Sequence, residues 1–264
     1  DLMAHTPRKR FGQHFLIDAG VVTRIVQVIA PKPDQHLIEI GPGQGVLTRA
    51  MLETGCQLTA IELDRDLAFH LDSELQADPR FSLIQEDVLK VDFVRLAAGM
   101  GTSKLRVLGN LPYNISSPLL FHLLASSSLI EDMHFMLQAE FVDRLVAQPG
   151  SKAYGRLSVS AQLYCDCQHL FYVEPSAFNP PPKVRSAVIR VVPYPQPQVA
   201  IEDEAVFHNV VRDAFSQRRK TLRNTLKNHL SAAQFLQADI DPGRRAETLS
   251  IAEFATLANL VSRQ

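Results

Sequence analysis

A short apolar stretch that runs directly into closely spaced glycines constrains the fold of this chain most. Residues His36–Ile40 predict a buried strand, and the sequence G-P-G-Q-G follows at once at positions 41–45. Apolar residues then recur with helical spacing from Val46 to Leu52. In a strand–turn–helix unit of this kind the glycines let the backbone approach a ligand, and the helix N-terminus faces it. The segment therefore predicts an α/β fold with a Rossmann-like sheet and a nucleotide-type loop.

Acidic residues follow the next two predicted strands. The second strand ends at Glu62, and the third is followed by Asp87. Glu62 lies 23 positions after Glu39, close to the ~20 positions at which such folds place the acid that binds ribose hydroxyls. A carboxylate at Asp87 is suited to accept a hydrogen bond from an adenine amine. Because ligands bind at the carboxyl ends of parallel strands, we expect Gly41, Glu62 and Asp87 to lie at one site.

An acidic residue two positions before the glycine-rich turn distinguishes between two nucleotide cofactors. Dinucleotide oxidoreductases use the spacing G-x-G-x-x-G to place a pyrophosphate at the helix N-terminus, whereas this chain has G-x-G-x-G after Glu39. A carboxylate at Glu39 disfavours a neighbouring anion and favours a cation such as a sulfonium nucleoside. The pattern therefore favours S-adenosylmethionine over NAD.

A fourth predicted strand, at Leu105–Gly109, delivers the sequence Asn110-Leu111-Pro112-Tyr113 to the same edge. The Asn110 amide oxygen is an acceptor, and Pro112 holds Leu111 extended so that the Leu111 carbonyl is able to face the site. Tyr113 offers a flat ring for stacking. Two acceptors beside a stacking ring suit the exocyclic amine of adenine, whose lone pair must be freed for attack. The alternative interpretation is an ordinary strand-to-helix turn in which Asn and Pro serve only as turn residues.

A proline-rich loop between two late predicted strands, Leu170–Val173 and Ser186–Val192, carries a second candidate stacking residue. The loop reads F-N-P-P-P-K at positions 178–183, and its proline run favours a stiff, extended backbone. Phe178 is thus either a fixed second wall for a base or a core residue, which is the commoner role of phenylalanine.

Length and composition limit the remaining possibilities. A chain of 264 residues is long enough for one large domain and a small one, and the proline-rich segment at 193–197 predicts the linker. We expect a catalytic domain at 1–197 and an all-helical domain at 198–264. No apolar run approaches the ~20 residues that span a bilayer. The three cysteines form neither a disulfide framework nor a metal-ligand pattern, so we expect a cytoplasmic, non-membrane protein without a metal.

The net charge of −1 conceals two basic clusters. The first, Arg8-Lys9-Arg10, lies near the start of the chain. The second lies within Phe207–Leu230, where apolar residues with helical spacing predict a helix and only Asp213 opposes six basic residues. A charge run is usually a solvated face, but this excess favours a phosphate-contacting surface. We expect that surface to bind RNA through the following side chains: Arg218, Arg219, Lys220, Arg223 and Lys227.

Five motifs, in this order, give the chain a family resemblance. They are Q-H-F-L at 13–16, E-I-G-P-G-Q-G at 39–45, I-E-L-D at 61–64, N-L-P-Y-N-I-S-S at 110–117 and F-N-P-P-P-K-V at 178–184. Together they resemble the ribosomal RNA adenine dimethyltransferases, and F-S-Q-R-R-K-T-L-R-N at 215–224 resembles the branch that modifies small-subunit rRNA. The resemblance covers nearly the whole chain.

The resemblance implies an activity, a fold and partners. The activity is transfer of methyl groups from S-adenosylmethionine to N6 of two adjacent adenosines near the 3′ end of small-subunit rRNA, each of which becomes dimethylated. The implied fold is a class I S-adenosylmethionine-dependent methyltransferase sheet. The implied partner is the assembling small ribosomal subunit, and we expect the protein itself to be monomeric.

The resemblance also implies roles for individual residues. His14 and Leu16 would close over the cofactor, with Gly41 against its methionine part, although many relatives have Asn where this chain has His14. The remaining implied roles are ribose binding by Glu62, adenine binding by Asp87, orientation of the target amine by Asn110 and the Leu111 carbonyl, and stacking on the flipped base by Tyr113 and Phe178.

Four alternatives are weighed against this function. A large-subunit rRNA dimethyltransferase of the macrolide-resistance type shares the catalytic domain, but the basic segment at 217–220 and its extension argue against it. A non-catalytic nucleic-acid-binding relative conflicts with an intact N-L-P-Y. A nicotinamide oxidoreductase is disfavoured by the glycine spacing, and a DNA adenine methyltransferase leaves the rRNA-type C-terminal segment unexplained.

Overall fold

A computed structural model describes residues 13–264 of the chain, so the predicted basic cluster Arg8-Lys9-Arg10 lies outside the described residues. The strands are β1 (Phe15–Leu16), β2 (His36–Ile40), β3 (Gln57–Glu62), β4 (Phe81–Gln85), β5 (Leu105–Asn110), β6 (Ile130–Gln138), β7 (Cys165–Val173), β8 (Phe178–Asn179) and β9 (Ser186–Pro193). The helices of the first half are α1 (Ala19–Ile29), α2 (Val46–Glu53), α3 (Arg65–Leu75), α4 (Phe93–Met100), α5 (Ser116–Leu124) and α6 (Ala139–Val146). The later helices are α7 (Arg156–Tyr164), α8 (Glu204–Ala214), α9 (Leu222–Thr225), α10 (Ala232–Ala238) and α11 (Ile251–Ser262).

The main sheet has seven strands in the order β4-β3-β2-β5-β6-β9-β7. Strands β2 to β6 pair in parallel, and β9 runs antiparallel to β6. The chain moves outward from β2 to β4 and then returns to place β5 on the other side of β2. The order therefore reverses between β2 and β5, which is the position where open α/β sheets bind ligands. The predicted α/β sheet is confirmed.

A two-stranded sheet brings the start of the described chain against the proline-rich loop. β1 pairs antiparallel with β8, with Phe15 opposite Asn179 and Leu16 opposite Phe178. The Ile17 amide also donates to the Ala177 carbonyl. These bonds hold the Q-H-F-L segment and the 178–183 loop together.

The chain forms two compact units. The first comprises the chain up to Val142 together with Gln168–Pro193, and the second comprises Asp143–Cys167 together with Tyr194–Gln264. The predicted division after residue 197 placed Asp143–Cys167 in the first domain. In the structure this segment belongs to the second unit, with the C-terminal helices. Each unit has its own core: Ile25, Leu37, Met51 and Leu58 are buried in the first, and Val159, Phe207 and Phe254 in the second.

The predicted continuous helix over Phe207–Leu230 is wrong. α8 ends at Ala214, turns follow, and α9 covers only Leu222–Thr225. The Leu222 amide donates to the carbonyl of Arg244, and the Arg223 amide to that of Pro242. These distant partners replace the bonds that a continuing helix would supply. The apolar positions still face one core, because Leu222 and Leu226 are buried with α8.

Three further observations concern the described residues. All three cysteines are free thiols. Within residues 13–264 no cluster of three or more His, Cys, Asp or Glu side chains is arranged to hold a metal ion. No helix in the described part of the chain is both long and apolar enough to cross a membrane.

Candidate active site

A cavity of about 140 Å³ lies in the first unit at the carboxyl ends of the central strands. The residues that the sequence predicted for catalysis, base stacking and cofactor binding all line it: His14, Leu16, Gly41, Glu62, Asp87, Asn110, Leu111, Pro112, Tyr113 and Phe178. Because these residues come from six separate parts of the chain, the parallel sheet has brought them together as expected. The predicted RNA-binding residues belong to the second unit.

Two glycines allow the ends of β2 and β5 to meet at the cavity. Gly109 pairs with Ile40, and a Cβ atom on Gly109 would lie only 2.4 Å from the Ile40 carbonyl oxygen. Gly41 adopts φ +67°, a conformation that side chains disfavour. A Cβ atom on Gly41 would lie 3.5 Å from the Asn110 carbonyl oxygen. The glycine-rich turn is thus placed directly beside Asn110.

Glu62 is a buried carboxylate at the end of β3, and the backbone fixes both of its oxygens. Oε1 accepts from the Gly43 amide at 3.1 Å, and Oε2 accepts from the Asp64 amide at 3.0 Å. A carboxylate has about four acceptor positions, so two remain for a ligand with neighbouring hydroxyl groups. Burial raises the pKa of Glu62, and the two amide bonds oppose that rise.

Glu39 is the second buried carboxylate of the cavity. Its Oε1 accepts from the Thr48 hydroxyl at 2.5 Å. Burial raises the pKa of Glu39 to about 7, the Thr48 bond opposes the rise, and the nearby Glu62 charge adds to it. A cationic ligand would favour the ionised form, as expected for a site that binds a sulfonium.

The pKa of Glu39 predicts a pH dependence of stability in the absence of ligand. In the folded protein the pKa of Glu39 is about 7, above its ordinary value of 4.5. The free energy of unfolding is therefore highest below pH 4.5 and falls as the pH rises towards 7. Glu39→Gln should abolish this loss, which is about 3 kcal/mol. Urea unfolding between about pH 5 and about pH 8 measures it. The exposed Glu53→Gln on α2 is the control, and equal pH profiles for Glu39→Gln and the wild type would contradict the assignment.

Asn110 ends β5 with its amide held in one orientation. Its Nδ2 donates to the His14 carbonyl at 3.2 Å, which leaves Oδ1 as the group available to a ligand. The Leu111 amide donates to the Met136 carbonyl at 3.1 Å. Among the described residues, no donor is bonded to Asn110 Oδ1 or to the Leu111 carbonyl oxygen. The corner therefore offers two neighbouring acceptors, as the sequence predicted.

Tyr113 follows this corner and is held at both ends. Its hydroxyl lies 3.4 Å from that of the buried Ser186, the first residue of β9. Its ring is stacked with the His14 ring, with 5.9 Å between centroids and 28° between planes. His14 Nδ1 lies 2.8 Å from the Pro180 carbonyl oxygen, and because a carbonyl only accepts, Nδ1 carries the hydrogen. His14 thus contacts the N-L-P-Y segment and the proline-rich loop together.

Phe178 is a core residue that also lines the cavity. Its side chain is 3% exposed and belongs to the core of the first unit. It also lines the cavity, opposite Leu16 in the β1–β8 pair.

Several contacts of the site were missed from the sequence. Gln13 Nε2 donates to Asp64 Oδ2 at 3.2 Å. A Cβ atom on Gly43 would lie 3.1 Å from the Phe15 ring, so the two residues are in close contact. Ser186 was predicted only as the start of a strand. Gln13 and Phe15 lie within the Q-H-F-L motif, so the motif itself was the available signal, whereas nothing local marks Ser186.

Comparison with known proteins now identifies the family. The family model described as ribosomal RNA adenine dimethylase matches residues 4–263. The chain belongs to that family. It is 54% identical over 261 residues to the ribosomal RNA small subunit methyltransferase A of Chromohalobacter salexigens, with 98% of this chain and 93% of that protein covered. The protein of the same name from Pseudomonas aeruginosa is 53% identical over 259 residues, covering 98% and 96%.

Solved structures agree on the fold. A dimethyladenosine transferase from Plasmodium falciparum has a TM-score of 0.80 and 24% identity, covering 95% of this chain and 98% of that chain. The 23S rRNA methyltransferase ErmE has a TM-score of 0.74 and 23% identity, covering 94% and 99%. The predicted class I methyltransferase fold is confirmed, and membership of the dimethylase family makes the chain an S-adenosylmethionine-dependent rRNA methyltransferase.

Proposed function

We propose that this protein transfers methyl groups from S-adenosylmethionine to N6 of two adjacent adenosines near the 3′ end of small-subunit rRNA, dimethylating each. The observation that carries the proposal is that Asn110 and Leu111 both line the cavity, with no described donor bonded to Asn110 Oδ1 or to the Leu111 carbonyl oxygen. The choice of the small subunit rests on full-length relatives above 50% identity that are named small subunit methyltransferases.

The cavity residues fit S-adenosylmethionine. The cofactor has two ribose hydroxyls for the free acceptor positions of Glu62, an adenine amine for Asp87, and a positive charge that suits the buried Glu39. Gly41 leaves room for its methionine part, and His14 and the β1 residue Leu16 form a cover. Asp87 already accepts from the Leu89 amide through Oδ1 at 3.0 Å, so its position is fixed.

The chemistry requires little more than orientation. When bound, S-adenosylmethionine supplies an electrophilic methyl group, and the N–C bond forms as the S–C bond breaks. Asn110 Oδ1 and the Leu111 carbonyl accept the two N6–H bonds of adenosine, which directs the nitrogen lone pair towards the cavity. They also stabilise the positive charge that develops on the nitrogen. A strong base is unnecessary because that charge makes an N–H proton acidic enough to pass to water, which leaves the methylated amine neutral.

Tyr113 and Phe178 are proposed to hold the flipped base. Tyr113 is oriented by Ser186 on one side and by the His14 ring on the other. Phe178 is buried among core residues, so we infer that it forms a rigid floor for the base. Fixed aromatic walls reduce the freedom of the base and keep its amine near the acceptors.

The second unit is proposed to bind RNA through the exposed basic segment. Arg218 forms an ion pair with Glu247 at 3.4 Å and also donates to the Lys152 and Tyr154 carbonyls. These contacts anchor the segment and leave Arg218 less available to phosphate. Four exposed basic residues have no carboxylate partner among the described residues: Arg219, Lys220, Arg223 and Lys227. We propose these four as the phosphate contacts.

Combined replacement of Arg219, Arg223 and Lys227 by alanine should weaken RNA binding and reduce its salt dependence. Three lost phosphate contacts should lower the slope of log K against log salt by about 2. The measurement is a binding titration with small-subunit rRNA at several salt concentrations. The matched control replaces three exposed basic residues of the first unit, Lys32, Lys90 and Arg95. An unchanged slope in the 219/223/227 variant would make this segment an ordinary solvated surface.

The choice of rRNA is tested by substrate competition. Purified small and large subunits that lack dimethyladenosine are offered together with labelled S-adenosylmethionine. Label confined to small-subunit rRNA is the expected result. Label in large-subunit rRNA would favour the macrolide-resistance type of activity instead. The assembling subunit as partner, the monomeric state and the cytoplasmic location are parts of the same proposal.

A further inference from the structure

An exposed arginine–tyrosine pair outside the cavity has no part in the proposed mechanism. The Arg185 guanidinium carbon lies 3.6 Å from the centroid of the Tyr172 ring. Both side chains are exposed, and Tyr172 is 39% exposed. A guanidinium this close to a ring centroid is a cation–π contact. The Tyr172 ring also contacts the His169 ring, with 4.3 Å between centroids, and the Arg185 guanidinium forms a flat, positively charged platform on it.

The backbone of Arg185 lies next to the candidate base pocket. Arg185 directly precedes Ser186, whose hydroxyl lies 3.4 Å from that of Tyr113. Neighbouring Cα atoms are about 3.8 Å apart, so Arg185 begins one residue from the Tyr113 contact. The Arg185 carbonyl accepts from the Ala139 amide at 3.0 Å, which fixes this part of the backbone.

A second pair on the same strand shows what an ordinary structural contact looks like. The Arg24 guanidinium carbon lies 4.1 Å from the centroid of the Phe171 ring. Phe171 is 6% exposed and belongs to the core, so Arg24 covers a core residue. Tyr172 is the next residue of β7 and faces the opposite side. Arg185 therefore covers no part of that core.

The charges around the platform suit a polyanion. Lys183 and Arg185 are both exposed, and neither forms an ion pair within residues 13–264. Val184, between them, is 49% exposed. Cations, a flat stacking surface and an apolar contact are the features by which proteins bind single-stranded nucleotides.

We propose that the Arg185 guanidinium, supported by the Tyr172 ring, stacks on the nucleotide next to the adenosine being methylated, with Lys183 near its phosphate. This inference rests on the proposed rRNA function. A single-stranded RNA whose target base enters the pocket continues past Tyr113, and Arg185 is the flat cationic group beside that position. The platform would hold the neighbouring adenosine while its partner is in the pocket.

The test compares Arg185→Ala and Arg185→Lys with the matched control Arg24→Ala. Arg24→Ala removes the same charge and the same type of contact from the opposite face of β7. The substrate is small-subunit rRNA particles, and the readouts are KM, kcat and the apparent melting temperature of each variant. We expect KM for RNA to rise roughly 5- to 100-fold in Arg185→Ala, the range for loss of one base-stacking contact. Arg185→Lys keeps the positive charge but lacks the planar guanidinium group. The salt dependence of its RNA binding should therefore match that of the wild type, while its KM should stay raised.

A second readout reports stacking directly. The probe is an RNA oligonucleotide that carries 2-aminopurine next to the target adenosine. Binding to the wild type or to Arg24→Ala should quench the 2-aminopurine fluorescence, and binding to either Arg185 variant should quench it much less. If the wild type is active and Arg185→Ala matches Arg24→Ala in KM and quenching, the inference alone is overturned. If Arg185→Lys restores KM, the role is phosphate contact and stacking is overturned. A wild type that is inactive on small subunits would overturn this inference together with the proposed function.

Discussion

Replacement of Asn110 by alanine is expected to reduce methyl transfer by about 10²- to 10³-fold, the cost of losing one oriented group that stabilises developing charge. The variant loses both the Oδ1 acceptor and the bond from Nδ2 to the His14 carbonyl. Affinity for S-adenosylmethionine should fall only partly, because Glu62 and Asp87 remain in place. Single-turnover methyl transfer and a cofactor titration measure the two effects separately.

Asn110→Asp tests the oxygen and the nitrogen of the side-chain amide separately. It keeps an acceptor for the target amine but places an oxygen against the His14 carbonyl, which repels it. We expect turnover between that of the wild type and that of Asn110→Ala. The exposed Asn209→Ala on α8 is the control for a lost amide elsewhere. Full activity in Asn110→Ala would refute the assignment of this side chain to the target amine.

The second large effect is expected at Glu62, where alanine should weaken cofactor binding about 10- to 100-fold. The estimate corresponds to losing hydrogen bonds to a charged acceptor, which contribute about 1.5–3 kcal/mol. The substitution also leaves the Gly43 and Asp64 amides without their carboxylate partner. Isothermal titration with S-adenosylmethionine measures the affinity, and urea unfolding of the ligand-free variant measures the structural cost.

Glu53→Ala is the matched control for Glu62→Ala. It removes the same charge from the end of α2, at an exposed position outside the cavity. If Glu62→Ala does not fold, Glu62→Gln preserves the volume, removes the charge and replaces one acceptor oxygen by an NH2 group that faces a backbone N–H. Wild-type affinity in a folded Glu62 variant would contradict ribose binding by this residue.

The sheet was predictable because its signals are local. β2 and β4 begin and end where their apolar runs do, at His36–Ile40 and Phe81–Gln85. Glycine-rich turns and acids at successive strand ends then placed Gly41 and Glu62 at one edge through a general rule of parallel sheets. Residues that follow successive parallel strands lie close together at that edge, so most of the cavity lining was predictable.

The C-terminal unit was less predictable because its turns are fixed by distant partners. The bonds from the Leu222 and Arg223 amides to the carbonyls of Arg244 and Pro242 cannot be inferred from local periodicity. Apolar spacing continued through the turn because both sides of it face one core. β7 was predicted only from Leu170, although it begins at Cys165, where cysteines alternate with polar residues.

The finer contacts of the site show the same distinction. The acceptors at Asn110 were predicted from residue chemistry, but their orientation depends on His14, which is 96 positions away. The His14 ring in turn depends on Pro180, at a separation of 166 positions. Sequence reasoning identified the chemical groups, whereas the folded chain determined which atoms of those groups remain available.

The most direct test of the central claim is to map the product of methyl transfer. Small subunits that lack dimethyladenosine are incubated with the protein and labelled S-adenosylmethionine, and nuclease fragments of the rRNA are identified by mass spectrometry. We expect N6,N6-dimethyladenosine at two adjacent positions near the 3′ end, and its loss with Asn110→Ala. Cofactor binding without any transfer, or methylation of a different base, would contradict the account.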